Sequence, residues 1–517
     1  MPDSPPRGSF ILLALITGAI VANINLSVAN VALPTIAADL GASQNQLDAI
    51  AEAFALGLAS TVLYLGAIGD RYGRKMLFVL GAILTVPTAC MAAWAPSADF
   101  LVFARLCSGF AAALLFPTTL SLISSLFKNK AKVRAIALWS GLGAGMAALG
   151  PLLGGWLLEY FWWGSVFLIS VPLALIALGV GLVVIPNHIP GDTEPVDHLG
   201  GVLSIVSVGG LVVLIQSFHQ GIDTQWLVIL GVTVFAFIGF FLRQGRAPRP
   251  LVSLPLARAT TVWVAFLAGA ITFGSLIGAM FIGQQFVQNV LGYDTLTAAA
   301  VVLPSAICAA LFGQVAGQLI IKRGSRPTLS LGLICVAIAF AIMLLTWHEG
   351  TSIGWVLVAY GFVGTGVGLS ATPASRALMS SMPQSHAGLG SALLDLTRDF
   401  GGAVLQAVLG GMLAAAYAKQ MTADISGLPA EQAAQVTDQI ADELTSSFAG
   451  AAEIASHYAP PTSQEIINAA SVAFTDGKSA AICVALALSL IGLLIVWLRF
   501  PSKQVEEAYY AKVAQEV

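Results

Sequence analysis

A chain of 517 residues that is 57% hydrophobic and only 9% charged, with a mean hydropathy of +0.87, is not a soluble globular domain, which carries about 25% charged residues. The formal charge of -3 is uninformative in a membrane chain whose charges are sorted by face, and no nucleic-acid partner is expected. All five cysteines, Cys90, Cys107, Cys308, Cys335 and Cys483, lie in apolar runs and show neither metal spacing nor a disulfide framework.

A bilayer core takes about 20 apolar residues per helix. Such runs lie near 10–33, 46–69, 76–95, 100–126, 135–157, 163–186, 199–217, 225–243, 261–290, 296–321, 328–346, 353–380, 388–416 and 479–499. The expected fold class is therefore an all-α membrane protein with 14 transmembrane helices, an even number that puts both termini on one side. With the N-terminus cytoplasmic, eighteen of the 23 Lys and Arg fall inside, Lys419 and Lys478 fall outside, and Arg105, Arg376 and Arg398 lie within spans. That is the bias of the positive-inside rule. No small-residue cleavage site follows span 1, which carries Asn23, Asn25 and Asn30, so it is expected to be a retained helix.

In chain order, span 1 ends in Asn25-Leu-Ser27-Val-Ala-Asn30-Val-Ala-Leu-Pro34. Span 2 holds Glu52, the only acid between 50 and 65. A carboxylate there costs roughly 2.5–3.5 kcal/mol on the insertion scale for Asp, so a cavity or a partner is expected, and a proton or cation site is one reading. The other is an interfacial glutamate reaching outer water. Between spans 2 and 3 comes Gly66-Ala-Ile-Gly-Asp70-Arg71-Tyr-Gly73-Arg74-Lys75. Its glycines let helices approach, Asp70 can accept hydrogen bonds from a helix end, and the three cations suit the headgroup region.

This turn, at Gly66, Asp70, Arg71, Gly73, Arg74 and Lys75, resembles the signature loop of the major facilitator superfamily. The resemblance implies the major facilitator fold, with two six-helix bundles and here an extra two-helix hairpin. The end of span 1 is similar to the signature of fourteen-span drug:proton antiporters, with Asn25 where that family usually has Asp. Asn25 and Asn30 are expected either to make helix–helix hydrogen bonds or to line the substrate pocket. Glu52 aligns with an acidic position of the family's pumps for lipophilic cations.

Span 4 carries Arg105 in Arg105-Leu-Cys-Ser-Gly109, resembling the motif whose buried arginine the family links to proton coupling. The alternative is snorkelling to the external surface. Span 5 carries Gly141-Leu-Gly143-Ala-Gly145-Met-Ala-Ala-Leu-Gly150-Pro151-Leu-Leu-Gly154-Gly155. The spacing of Gly141 with Gly145 and of Gly150 with Gly154 leaves one helix face nearly bare for a close neighbour, and Pro151 permits a bend. Within the superfamily the Gly-Pro-x-x-Gly-Gly pattern is similar to the antiporter motif.

Polar linkers at 185–199 and 243–258 bracket spans 7 and 8. The expected organisation is an N-terminal six-helix bundle over 1–190, an inserted hairpin with its linkers over 191–258 and a C-terminal six-helix bundle over 259–517. Gly317-Gln-Leu-Ile-Ile-Lys322-Arg323-Gly324-Ser-Arg326 repeats the spacing of the first turn, with Ile321 where Asp70 would stand. Span 13 holds Asp395, Arg398 and Asp399 on adjoining faces of one helix. An internal ion pair explains the arginine and leaves one acid over for the substrate or proton path. Residues 417–477 form an external segment with eight acids and one lysine, expected as amphipathic helices broken at Pro460-Pro461.

No phosphate-binding loop, metal pattern or enzyme site emerges, so transport is expected to draw on an ion gradient or on simple diffusion, with no cofactor. The resemblance implies a proton-driven exporter of quaternary ammonium compounds, viologens and dyes in a bacterial plasma membrane. The alternative is export of a neutral or anionic product on the same fold. Proton coupling is assigned to Glu52, Arg105, Asp395 and Asp399, and substrate contact to Asn25, Asn30, Glu52, Asp395 and Asp399. The expected partners are small lipophilic substrates, protons and the bilayer, with the chain a monomer and the need for an adaptor protein left open.

Overall fold

The structure, a computed structural model, describes residues 5, 7–42, 44–186, 196–217, 223–247, 250–251, 258–382, 387–428 and 436–515. Among them every regular element is helical. Span 1 is Gly8–Ser27 continued by Ala29–Leu40, span 2 Gln44–Tyr72, span 3 Arg74–Ala93, span 4 Ala98–Leu126 and span 5 Asn129–Tyr160. Span 6 joins Ser165–Leu168 to Ser170–Val184, span 7 is His198–Gln216 and span 8 Thr224–Arg246. Span 9 is Thr260–Gln285 ending in a π turn, Phe286–Val290, and span 10 joins Thr295–Ala300 to Leu303–Arg323. Span 11 is Ser325–Thr346, span 12 Ile353–Ser380, span 13 Ala387–Ser426 and span 14 Thr462–Arg499. Among the described residues 13 helices are long and apolar enough to cross a membrane. Span 5, with 32 residues, is also long enough at about 1.5 Å per residue.

Each apolar helix satisfies its own backbone, as lipid requires, and neighbours then approach through small residues. A Cβ on Gly109 of span 4 would strike the Phe54 carbonyl of span 2, and one on Gly81 of span 3 would lie 2.7 Å from Leu115 N of span 4. The same pairings recur eight spans later. A Cβ on Gly368 of span 12 would lie 2.6 Å from the Ala309 carbonyl of span 10, and one on Gly366 of span 12 would lie 2.8 Å from the Gly332 carbonyl of span 11.

Two crossings related by the same shift join the first half to the second: span 5 on span 10, and span 13 on span 2. At the first, a Cβ on Gly313 would lie 3.1 Å from Gly141 Cα and 3.2 Å from the Ala137 carbonyl. Gly150 and Gly154 instead admit Ser27 and Val28 of span 1. Gly141 and Gly150, nine positions apart, lie about 180° apart on the helix. The expected single bare face is therefore two faces, one for each neighbour. Gly155 meets Leu296 at 3.7 Å and Val31 at 3.9 Å, Pro151 sits inside an unbroken helix, and the side of Gly145 lies outside the described residues.

Both turns of the internal repeat sit at one end of the bundle, here termed the basic end. Gly73 has φ 110° and Gly324 φ 93°, values that residues with a Cβ rarely adopt. In the first turn Arg74 Nε and Nη2 donate to Asp70 Oδ1 at 3.0 and 2.9 Å, and Lys75 Nζ donates to the Leu182 carbonyl of span 6 at 3.0 Å. Arg74 is buried, so the expectation of three headgroup-level cations is corrected to two: the Asp70 carboxylate draws the third inward. Lys75 satisfies a carbonyl in the last turn of span 6, where the helix dipole favours a cation.

In the second turn the missing acid arrives from elsewhere in the chain. The C-terminal helix Lys503–Gln515 packs against this turn, with Lys503 Nζ donating to the Ile321 carbonyl at 2.8 Å. Glu506, fully buried, accepts from Ser325 N at 3.1 Å and from Ser325 Oγ, at the N-terminus of span 11. It also lies 3.5 Å from Arg376 Nη1 of span 12. A carboxylate at a helix N-terminus is favoured by the dipole, so Glu506 does for span 11 what no residue of the second turn can.

Span 7 packs on span 2, with Tyr64 Oη 2.6 Å from His198 Nδ1, and Arg243 Nε holds Asp197 at 3.0 Å to tie span 8 to span 7. Span 8 turns Phe235, 77% exposed, outward. Residues 187–195, 218–222, 248–249 and 252–257 of the linkers and loop lie outside the described residues. At the far end, helices Asp438–Ser446 and Phe448–Ser456 pack between spans 13 and 14. Tyr417 Oη donates to the Leu444 carbonyl at 3.2 Å. Span 14 begins at Thr462 with Pro461 at its N-cap, where the missing N–H removes no helix hydrogen bond. The polar residues before the apolar run are thus helical too. Lys478, expected among the outer charges, is 1% exposed and donates to the Trp347 carbonyl, 5.4 Å from the Phe286 ring centre.

Candidate functional site

The polar centre of the molecule is built where span 13 meets spans 1 and 4. Arg398 Nε donates to Asp399 Oδ1 at 3.2 Å, and its Nη1 donates across the halves to Asn23 Oδ1 at 3.0 Å. Its guanidinium carbon lies 4.4 Å from the Phe116 ring centre, inside the range of an attractive cation–π contact. Asn23 is held for this role by its own amide, which donates to the Ala19 carbonyl at 2.8 Å. Behind Phe116 stands Trp139 of span 5, ring centres 5.3 Å apart, whose Nε1 donates to Thr119 Oγ1 at 2.8 Å.

This arrangement identifies the acid left over. The ion pair is Arg398 with Asp399, while Asp395 is 2% exposed and its Oδ2 has no hydrogen-bond partner among the described residues. Asp399 Oδ2 is also without one. A buried carboxylate oxygen with no partner is costly. It is a position at which a proton, a water or a cation improves the balance.

Arg105 occupies a different place. It is 0% exposed within the first half, so it does not snorkel. Nε donates to the Ile50 carbonyl at 3.3 Å and Nη1 to the Asn25 carbonyl at 3.0 Å. The guanidinium lies 4.8 Å from the Phe54 ring centre and 5.5 Å from that of Phe167. No carboxylate joins it among the described residues. In this arrangement Arg105 clamps spans 1, 2 and 4 through backbone carbonyls.

Asn25 donates its side-chain amide to the Val21 carbonyl of its own helix at 2.9 Å, so among the described residues its bond to another helix is made by its backbone carbonyl and not by its side chain. It lines a small cavity inside the first half with Phe54, Thr85, Thr88, Ser108 and Ser170. Asn23 lies about 200° round the helix from Asn25, which is why one faces span 13 and the other faces inward. Glu52 is half-buried. Ile50 and Phe54 both meet Arg105, and Glu52, two positions from each, is turned about 200° away. The structure thus brings Asp395 and Asp399 together and leaves Arg105, Asn25 and Glu52 apart from them. The side chain of Asn30 lies outside the described residues.

Sequence reasoning missed Asn23, Phe116 and Trp139. Asn23 carries a signal, an amide two positions before Asn25 in an apolar run. A phenylalanine and a tryptophan among 57% hydrophobic residues carry none.

A sequence model of the Major Facilitator Superfamily matches residues 15–405. The chain is 31% identical over 503 residues to the multidrug efflux pump LfrA of Mycolicibacterium smegmatis, an alignment covering 96% of this chain and 97% of that protein. It is 28% identical over 491 residues to the methyl viologen resistance protein SmvA of Salmonella typhimurium, covering 93% and 96%. It is 28% identical over 412 residues to the multidrug resistance protein Stp of Mycobacterium tuberculosis, covering 78% and 75%.

Proposed function

Because this chain belongs to the major facilitator superfamily of membrane transporters, we propose that it exports lipophilic cations, such as quaternary ammonium compounds, viologens and dyes, in exchange for protons. The basic end with both termini faces the cytoplasm of a bacterium, and the proton gradient is the energy source. The observation that carries the reading is Asp395, a nearly fully buried carboxyl with an oxygen that has no hydrogen-bond partner among the described residues, one helical turn before the Arg398 that reaches across the halves to Asn23 and Phe116. The names of LfrA and SmvA, drug efflux and methyl viologen resistance, support the direction and the cargo class.

The halves rock about this centre. A proton arriving from outside takes the Asp395 site and displaces the cationic cargo outward. Glu52, on the far-end part of span 2 and turned away from Arg105, is a second exchange point on the outer path. Arg105 keeps spans 1, 2 and 4 rigid, so that span 1, which carries Asn23, moves with span 4, which carries Phe116.

A second reading has one observation behind it. Arg398 has an Nη2 without a hydrogen-bond partner among the described residues, and with the neutral Asn25 this suits export of an organic anion or neutral product. Everted membrane vesicles separate the two. Loss of the proton gradient on adding ethidium or benzalkonium, absent with organic anions and abolished in Asp395→Asn, supports cation exchange. Full exchange by Asp395→Asn and Glu52→Gln removes both proposed coupling sites.

A further inference from the structure

Arg398 makes three contacts at the centre of the molecule, and all three are contacts that a cationic cargo needs. It lies over the Phe116 ring at 4.4 Å, donates to Asp399 at 3.2 Å and donates to the Asn23 side-chain oxygen at 3.0 Å. Trp139 extends the ring surface behind Phe116. The geometry points to Arg398 as a tethered competitor that fills the cation site when the halves are closed on it and ejects the cargo as they close. This deepens the efflux reading and rests on it.

The tether belongs to one half and most of the site to the other. Asp399 is the next residue on span 13, so the ion pair travels with Arg398, whereas Asn23 and Phe116 belong to spans 1 and 4. When the halves part, Arg398 leaves with Asp399, and the ring face and the Asn23 oxygen become open to a cation. When they close, the guanidinium returns to both. The arginine is not locked in place: its Nη2 has no hydrogen-bond partner among the described residues and its side chain keeps 14% of its exposure.

Charge supports the same exchange. With both acids ionised, Asp395, Arg398 and Asp399 together carry one net negative charge, which a single monovalent cation or a single proton cancels. A cargo bound while Arg398 still covers Phe116 would bring two cations to one ring face. Displacement of one by the other avoids that repulsion.

The test is equilibrium binding of ethidium to the purified full-length protein in lipid nanodiscs, beside a neutral lipophilic dye. Arg398→Ala is expected to bind ethidium about tenfold tighter or more, the scale of a desolvated cation–ring contact released for the ligand, with no change for the neutral dye. Arg398→Gln keeps a hydrogen-bond donor for Asn23 and removes the charge, so it must tighten binding too if Arg398→Ala does not fold. Arg398→Lys keeps the charge and so gains less affinity for ethidium than either neutral variant. In proteoliposomes both neutral variants turn over more slowly because release is impaired. If wild type binds and transports ethidium while the neutral variants bind it no tighter, or gain equally for the neutral dye, the competitor role is overturned and the efflux reading stands. If wild type neither binds nor transports ethidium, the efflux reading falls and the competitor role with it.

Discussion

Gly313→Ala tests whether the crossing of spans 5 and 10 opens during the cycle. The added methyl would sit 3.1 Å from Gly141 Cα and 3.2 Å from the Ala137 carbonyl, inside the about 3.5–4.0 Å of ordinary contact between non-bonded atoms. Overpacking of this kind costs about 1–3 kcal/mol. If the crossing parts in the alternative arrangement, the cost is felt only in the closed one. At about 1.4 kcal/mol per tenfold, the closed population then falls roughly 5- to 140-fold relative to the open one. Ser140 of span 5 and Ser375 of span 12, which packs on both span 5 and span 10, provide the readout, because their hydroxyl oxygens lie 3.4 Å apart between the two halves beside this crossing. A Ser140→Cys, Ser375→Cys pair in a background without the five native cysteines should crosslink readily, and much more slowly once Gly313→Ala is added. Gly231→Ala, where nothing lies within 4 Å of the added carbon, should leave crosslinking unchanged. A lower melting temperature with unaltered crosslinking would refute the reasoning, since it would mean that the halves stay packed at this crossing throughout.

Glu506→Ala should lower stability by about 3–5 kcal/mol, the cost of breaking a buried charged pair from one side. Glu507→Ala, whose side chain is 53% exposed, should stay within about 0.5 kcal/mol; equal thermal midpoints for the two variants would remove the C-terminal helix from the closure of the second turn. Lys132, at the basic end before the apolar run of span 5, is lowered to about 8 by burial and by the Arg376 guanidinium. Its charged form is therefore disfavoured in the folded protein: the cost is present below about pH 8 and fades as pH rises toward the free lysine value of about 10.4. The thermal midpoint of wild type should rise relative to Lys132→Met between pH 7 and 9.5, and parallel curves would contradict this. Arg105→Lys cannot serve the Ile50 and Asn25 carbonyls from one planar fork. It should lose about 1.5–3 kcal/mol, the worth of a hydrogen bond to a charged group, and an unchanged midpoint would exclude the clamp.

Hydropathy made the spans legible because a bilayer leaves helices few alternatives, and the rarity of acids in apolar runs made Asp395 and Asp399 stand out. Where polar sequence continues a helix beyond the apolar run, as from Thr462 into span 14, hydropathy has no contrast to register. The acid paired with Arg398 was not legible, since spacing on one helix allows either neighbour and the choice is made where Asn23 and Phe116 hold the guanidinium from spans 1 and 4. Arg105 looked able to reach the surface, yet its carbonyl partners come from Asn25 and Ile50, 80 and 55 positions away. Glu506 lies in a polar tail whose composition gives no sign of burial, and only its distant partners Ser325 and Arg376 disclose it.

The most direct test is proton release on cargo binding. Purified protein in weakly buffered detergent solution near neutral pH, titrated with ethidium and followed with a pH indicator, should release protons in proportion to the ethidium bound. Asp395→Asn should bind ethidium with little or no release. Ethidium binding without proton release by wild type, or release by Asp395→Asn equal to that of wild type, would contradict the assignment of proton and cation to one site at Asp395.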